Sequence, residues 1–260
     1  LAHIARQLLQ RMSEADGEDQ PAGDDLSAIT EALADNHALL GHIHALALEW
    51  QLSERLRARH ALDPVLAPLV QNMIASNDGD LASLAMRFLA SQARFCQSQR
   101  RMELPIAELP GDLLDATLIT MRTLAGDEPE SDRRAAHAEA AIRAAYDEGA
   151  TRLALLSRLI TALGSGALAA LSVTHAGVAL FLSALALGSS QDRDRSALST
   201  NDAQLAHFAL SLRAAGLKPS GVEEQFLAIH PEIALPEGFE SLGADRAAAI
   251  LSLGGGAGRA

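Results

Sequence analysis

Residues 159–190 read LITALGSGALAALSVTHAGVALFLSALALGSS, and these thirty-two residues contain no Asp, Glu, Lys or Arg. Such a run is typical either of a membrane-spanning segment or of a large helical core, because both environments exclude unpaired charges. The choice between the two decides the class of protein. Gly164 and Gly166 lie near the start of the run, and this pair of glycines predicts a break between two helices.

The residues on either side of the break favour the core over the membrane. In the first helix Leu156 and Leu159 share one face while Arg158 lies off it, which is the pattern of an amphipathic helix. The second segment, 166–188, is long enough to span a bilayer, but many of its residues are Ala, Gly, Ser and Thr, which insert weakly. No Trp or Tyr flanks it. We therefore predict two central, buried helices over residues 151–188 and no membrane span.

The composition is that of an acidic globular protein. The 260 residues are 48% hydrophobic and 21% charged, with a formal net charge of -12. This acidity predicts that the chain binds neither nucleic acid nor anionic lipid, since both interactions require Lys and Arg to neutralise phosphate. Cys96 is the only cysteine, so an internal disulfide is impossible and we expect a reducing, cytoplasmic location. The chain begins at Leu1 and not at Met, from which we expect a fragment or a trimmed chain.

Helical periodicity recurs along the chain, and no stretch alternates as a strand would. We predict an all-α protein of about ten helices, with helical pairs or an irregular bundle around the buried central pair. The predicted divisions are an N-terminal helix at 1–15, a linker at 16–25, a single helical domain at 26–253 with possible halves 26–125 and 131–253, and a disordered tail at 254–260.

A unit of short helix, polar turn and long helix recurs three times, with turns at residues 34–36, 75–77 and 125–127. Their spacings of 41 and 50 residues are close to the period of HEAT and armadillo arrays. Short loops in an irregular helical bundle produce the same spacing. HEAT-like helical pairs and an irregular bundle therefore both stay open as interpretations.

Two capping signals predict where particular helices begin. Asp63 stands directly before Pro64, and this pair predicts a helix whose first residue is Pro64. Ser131 is predicted to cap the next long helix after the turn at 125–127, because serine is among the residues preferred at that position.

His175 is the candidate ligand-binding residue. A continuous helix would place the imidazole within an apolar stripe, because the residues concerned are spaced 3, 4, 3, 4 and 3 apart. They are Leu168, Leu171, His175, Val178, Leu182 and Leu185. A buried imidazole requires a hydrogen-bond partner, and its pKa falls. The structural interpretation is a core histidine bonded to a neighbouring helix. The functional interpretation is a polar anchor in a ligand cavity.

Arg100 and Arg101 are the candidate partner-binding residues, since adjacent guanidinium groups suit an acidic partner protein. In an acidic chain such a pair is more commonly a solvated face or part of internal ion pairs. We expect no metal site, because none of the nine histidines has another histidine three or four residues away. The histidines at 37, 42, 44 and 60 are accordingly interpreted as solvated boundary residues.

Three segments carry a resemblance to a known family: DPVLAPL at 63–69, RMELP followed by LPGDL within 101–113, and QDRDR at 191–195. They resemble an uncharacterised, all-helical family of alphaproteobacterial proteins known only as a domain of unknown function. The resemblance covers about residues 26–253 and implies a HEAT-like helical fold in the cytoplasm. It transfers no catalytic residue and no cofactor.

Catalytic motifs are missing from the sequence. Ser165 stands between two glycines but follows no strand, so it does not match a nucleophile elbow, and no glycine-rich phosphate loop is present. We therefore expect a non-catalytic scaffold or regulatory domain that binds another protein and needs no cofactor. The alternative is a small-molecule sensor with its ligand between helices near His175. An enzyme whose residues assemble across helices is the third possibility.

Overall fold

The computed structural model describes residues 1–14, 23–126 and 128–255, without the side chains of residues 23, 24, 165 and 255. Within these ranges the chain folds into helices and forms no strand, which confirms the predicted all-α class. The α-helices there number thirteen, more than the ten or so predicted.

The helices follow one another at short intervals. In chain order the α-helices are α1 (Ala2–Ser13), α2 (Gly23–Ala34), α3 (His37–His60), α4 (Pro68–Ile74), α5 (Gly79–Arg100), α6 (Gly111–Ala125), α7 (Pro129–Ala145), α8 (Arg152–Leu163), α9 (Val173–Ser189), α10 (Arg193–Leu198), α11 (Leu205–Ala214), α12 (Pro219–Ile229) and α13 (Ala244–Gly255). Short 3-10 helices lie at Ile106–Glu108, Glu148–Ala150, Gly164–Leu171, Asp202–Gln204 and Phe239–Ser241.

The chain divides into two compact units. The first comprises residues 1–43 and 94–155, and the second comprises 44–93 and 156–260. These units differ from the linear halves considered from sequence, because each unit takes residues from two separate parts of the chain. A division of this kind depends on packing in three dimensions and cannot be predicted from the order of the helices along the sequence.

The first unit has its own hydrophobic core. In it α1 packs against α2 and α7, and α6 packs against the same two helices. The core includes Leu8, Leu33, Leu114 and Leu118, whose side chains are fully buried. Burial of each such leucine contributes about 1.5–3 kcal/mol before the entropy cost of ordering the chain.

The second unit is built around α9. This helix packs against α4, α10, α11 and α12, and thirteen of its seventeen residues are buried, as the uncharged run predicted. Its aromatic cluster brings the Phe208 ring to 6.2 Å from Phe181 and 5.9 Å from Phe226, measured between ring centroids. No helix in the described ranges has both the length and the hydropathy of a membrane span.

Proline marks the beginning of three helices, since Pro68, Pro129 and Pro219 are the first residues of α4, α7 and α12. The predicted helix that begins at Pro64, with Asp63 as its cap, is therefore wrong. Asp63 Oδ1 accepts hydrogen bonds from the backbone N–H groups of Val65 and Leu66 and so closes only a turn. Pro68 fixes the preceding residue in extended backbone, which stops any helix begun at Pro64. The predicted cap at Ser131 is wrong for a similar reason, because α7 has already begun at Pro129.

The central segment is less regular than predicted. The 3-10 helix Gly164–Leu171 separates α8 from α9, and Gly177 interrupts α9 with φ of 75° and ψ of 160°. The stripe expected around His175 depended on one continuous helix, so it does not form. Leu168, expected on that stripe, is 58% exposed.

The structure describes only part of the linker predicted at 16–25 and only part of the tail predicted at 254–260. α2 begins at Gly23, so the last three residues of the expected linker are helical. Residues 16–22 of that linker, and residue 15 at the end of the predicted N-terminal helix, lie outside the described residues. α13 continues to Gly255, and residues 256–260 of the expected tail also lie outside the described residues.

Candidate functional site

The structure places His175 in the first turn of α9, half-buried rather than fully enclosed. Its backbone N–H donates to the carbonyl of Ser172 at 3.1 Å, which belongs to the start of the helix. Arg100 and Arg101 lie exposed at the end of α5, in the first unit. Arg101 Nε donates to Glu103 Oε2 at 2.9 Å, so this guanidinium already has an internal ion pair. The binding roles of all three residues stay predictions.

The histidine-rich stretch of α3 is not uniformly solvated. His37, His44 and His60 are exposed as expected, but His42 is only 2% exposed and belongs among the buried side chains. In the parts of the chain that are described, no three His, Cys, Asp or Glu side chains form a group able to hold a metal ion. Cys96 is buried in α5 and takes part in no disulfide, since it is the single cysteine of the sequence.

The candidate site is an open groove in the second unit with a volume of about 750 Å³. One wall is the middle of α3, and the opposite wall is the turn that leads into α11. The groove is lined by Leu48, Trp50, Gln51, Glu54, Arg55, Thr200, Asn201, Asp202 and Ala203. Its volume falls in the range of natural ligand sites, which is about 300–1,000 Å³. His175, Arg100 and Arg101 do not line it.

The α3 wall presents apolar and polar side chains at helical spacing. Leu48, Gln51 and Arg55 follow one another at three and four residues, so they share a face, and Trp50 and Glu54 lie beside them. Glu54 is already engaged, because Arg57 Nε and Nη2 donate to its two oxygens at 3.1 and 2.7 Å. Among the described residues Arg55 forms no ion pair, and its side chain is exposed.

A buried ion pair holds this wall in place. Glu49, next to the groove residues on α3, has 1% of its side chain exposed, and its Oε2 lies 3.0 Å from Arg193 Nη2. Arg193, the first residue of α10, also donates from Nε to Ser183 Oγ on α9 at 3.0 Å. One guanidinium thus links three helices, and the position of the α3 wall depends on it.

Asparagine and aspartate shape the opposite wall. Asn201 Oδ1 accepts a hydrogen bond from the backbone N–H of Ala203 at 2.6 Å and so caps the 3-10 helix Asp202–Gln204. Thr200 is buried and donates its hydroxyl to the carbonyl of Ala197 at 2.7 Å. These two bonds fix the turn. Asp202 is thereby directed outward, with 79% of its side chain exposed.

His230 lies buried behind Asp202. Its ring has 2% exposure, and Nδ1 lies 3.1 Å from Asp202 Oδ1. The ring centroid is 5.5 Å from that of Phe226 and 6.0 Å from that of Phe208, so the imidazole is part of the aromatic core. The groove therefore has a carboxylate at its surface whose partner is a core histidine.

α3 also contacts the end of α12, the helix directly before His230. Arg59 Nη1 donates to the carbonyl of Ala228 at 3.2 Å, and His60 Nε2 is 3.4 Å from the same oxygen. These basic side chains meet the carbonyl end of α12, where a positive charge is favoured. The contacts tie the α3 wall to α12.

Burial lowers the pKa of His230 below its usual value of about 6.5. The Asp202 carboxylate acts in the opposite direction, and the Arg55 guanidinium lowers the pKa further. The folded protein thus resists protonation at this ring, although a carboxylate is bonded to it. The ring is held neutral near pH 7.

Stability should depend on pH through this histidine. Since the folded pKa is below the unfolded one, the unfolded chain takes up the proton first, and the free energy of unfolding falls as pH drops below about 6.5. We expect denaturation in urea at pH 7.5 and 5.5 to show a larger loss for the wild type than for His230→Asn, whose side-chain amide does not titrate. An imidazole pKa above 6.5 for His230 in an NMR titration would contradict this.

The Asp202–His230 pair resembles the carboxylate and histidine of a hydrolase, but its exposure is reversed. When such a histidine acts as a general base, its carboxylate partner is buried and its other ring nitrogen faces the substrate. Here Nε2 of His230 is buried and Asp202 is exposed. A substrate in the groove would meet the carboxylate and not the base. The arrangement suits recognition of a charged group better than proton transfer.

The sequence contained little to indicate this site. Asp202 and His230 are 28 residues apart, and neither stands in a recognisable motif. The one local signal is Asn201, a residue type that favours helix caps and turns. Comparison of the chain with family models, with curated proteins and with solved structures finds no match. The resemblance to the alphaproteobacterial helical family therefore stays an expectation.

Proposed function

We propose that this chain is a non-catalytic interaction domain, and that its groove binds a short segment of another protein. The observation that carries the proposal is the groove itself, which is open and combines Leu48 and Trp50 with the exposed charges of Arg55 and Asp202. An aromatic and an aliphatic side chain beside charged groups is the composition expected of an interaction surface. The reversed exposure of Asp202 and His230 supports a role in binding over one in catalysis.

The open form of the groove favours a polypeptide over an enclosed metabolite. A peptide segment lying in a groove keeps one side in solvent, whereas small-molecule sites bury most of the ligand surface. The volume of about 750 Å³ also suits a small molecule, which keeps the sensor as a second candidate, now located at this groove. Cys96, the single cysteine, supports the further proposal that the protein acts in the cytoplasm.

Peptide selection against the intact chain tests the proposal. Peptides from a random display library that bind the chain should change the fluorescence of Trp50, because this residue lines the groove and is the only tryptophan. Ala203→Arg inserts a long side chain at the groove. We expect it to weaken the affinity for the selected peptides about tenfold or more, which corresponds to about 1.4 kcal/mol or more of binding free energy.

Ala206→Arg provides the matched control. Ala206 is also exposed, three residues further along the same segment, but it does not line the groove, so its replacement should leave affinity unchanged. Equal binding to both variants, or the recovery of no peptide, would refute the proposal. A metabolite whose binding is lost only in Ala203→Arg, with no peptide recovered, would instead establish the sensor.

A further inference from the structure

Most polar groups along the groove already have partners within the fold. Both oxygens of Glu54 accept from Arg57, Asn201 Oδ1 accepts from Ala203, and the Thr200 hydroxyl donates to a carbonyl. Asp202 uses Oδ1 for His230, and its carboxylate is otherwise exposed. The charges that remain available to a ligand are therefore the guanidinium of Arg55 and the carboxylate of Asp202.

These two charges lie on opposite walls, with Arg55 on α3 and Asp202 on the turn before α11. They are not paired with each other, since no ion pair joins them among the described residues. Both nevertheless act on the same imidazole, so both belong to one local environment. Leu48 and Trp50 supply the apolar surface of the groove.

A ligand with a single charge would be attracted electrostatically to one wall of the groove and repelled by the other. A ligand that carries both charges gains at both walls, because each of its charged groups meets the opposite charge. Its apolar part can then cover Leu48 and Trp50, where burial of apolar surface contributes most of the affinity.

On this basis, and resting on the proposed function, we propose that the groove recognises a bipolar peptide. A basic side chain of the peptide contacts Asp202, an acidic side chain contacts Arg55, and apolar residues between them pack on Leu48 and Trp50. Because the two walls carry opposite charges, the order of the two charged residues in the peptide matters. A peptide of reversed sequence should therefore bind less tightly.

Blocked hexapeptides provide the probe. The reference peptide is acetylated and amidated, with a lysine and a glutamate flanking two leucines and alanine at each end, and the second peptide has the two charged residues exchanged. We expect the two orders to differ in affinity, measured by Trp50 fluorescence. In the tighter one, replacement of either charged residue by glutamine should weaken binding about two- to fivefold.

Two variants assign each charge to its wall. Asp202→Asn should abolish the effect of the peptide's lysine and leave that of its glutamate, and Arg55→Gln should do the reverse. Asp245→Asn on α13 and Arg87→Gln on α5 remove the same charges from exposed positions away from the groove lining. These control variants should bind like the wild type.

The outcomes separate this inference from the proposed function. If displayed peptides are recovered and respond to Ala203→Arg, but the hexapeptides fail to bind or bind without regard to charge, the bipolar ligand is refuted and the interaction groove stands. If no peptide of either kind binds, the proposed function fails and the inference fails with it. Charge effects that persist in both Asp202→Asn and Arg55→Gln would also overturn the assignment.

Discussion

Replacing Glu49 with alanine should lower the free energy of unfolding by about 3–5 kcal/mol. Its carboxylate is 1% exposed and faces Arg193, whose side chain is 13% exposed. Removal of the carboxylate leaves a guanidinium in a region nearly without water, where the cost of desolvation is no longer compensated. Because Arg193 also joins Ser183 on α9, the loss should loosen the α3 wall of the groove. Urea denaturation measures the change.

Two further variants show whether the buried charge is the cause. Glu49→Leu combined with Arg193→Met removes both charges and should recover most of the loss, since a buried pair replaced by apolar residues is commonly neutral or stabilising. Glu54→Ala breaks an exposed pair on the same helix and should have a far smaller effect. A double variant no more stable than Glu49→Ala would contradict this explanation.

Gly177→Ala is expected to destabilise the protein by about 2–5 kcal/mol. The φ of 75° and ψ of 160° lie in a region that residues with a side chain seldom adopt. A Cβ at this position would also lie 2.8 Å from the Cβ of Ala67, which cannot move easily because Pro68 fixes its backbone. Conformational strain and steric overlap therefore act together. Thermal and urea denaturation should both reveal the loss.

Gly221→Ala is the control for this glycine. Gly221 lies inside α12, and an added Cβ would meet Leu217 at 3.5 Å, an ordinary contact distance. Alanine should be neutral there or stabilise the chain by about 0.4–1 kcal/mol, because it reduces the freedom of the unfolded state. Similar losses for Gly177→Ala and Gly221→Ala would show that neither the backbone angle nor Ala67 matters.

Burial of the second half of the uncharged segment was predictable from sequence for a physical reason, whereas much of 161–169 is exposed. A run that contains no charge and is too weakly apolar for a bilayer can remove its surface from water only inside a protein core. α9 is buried accordingly. The beginnings of α3 and α5 also followed from the predicted polar turns at 34–36 and 75–77, which end within two residues of each helix. Local pattern determines these features, so sequence alone reveals them.

Features that depend on packing were not predictable in this way. Gly177 is one glycine among small residues, and nothing near it in sequence indicates either its positive φ or its close approach to Ala67, 110 residues earlier. The same holds for the site. His230 meets Asp202 only because α12 and the turn before α11 are packed together, and Glu49 meets Arg193 across a gap of 144 residues. The prediction of a ligand site at His175 depended on an apolar stripe along one continuous helix, and the 3-10 helix Gly164–Leu171 interrupts that helix.

Mapping the contact of a bound peptide tests the central claim most directly. A peptide selected on the intact chain is prepared with a photoreactive benzoylphenylalanine in place of one apolar residue, cross-linked, and the attached residues are identified by mass spectrometry. We expect the cross-links to fall within residues 48–55 and 200–203, and to be lost in Ala203→Arg but kept in Ala206→Arg. Cross-links confined to other surfaces, such as Arg100 and Arg101 at the end of α5, would contradict the assignment of the groove.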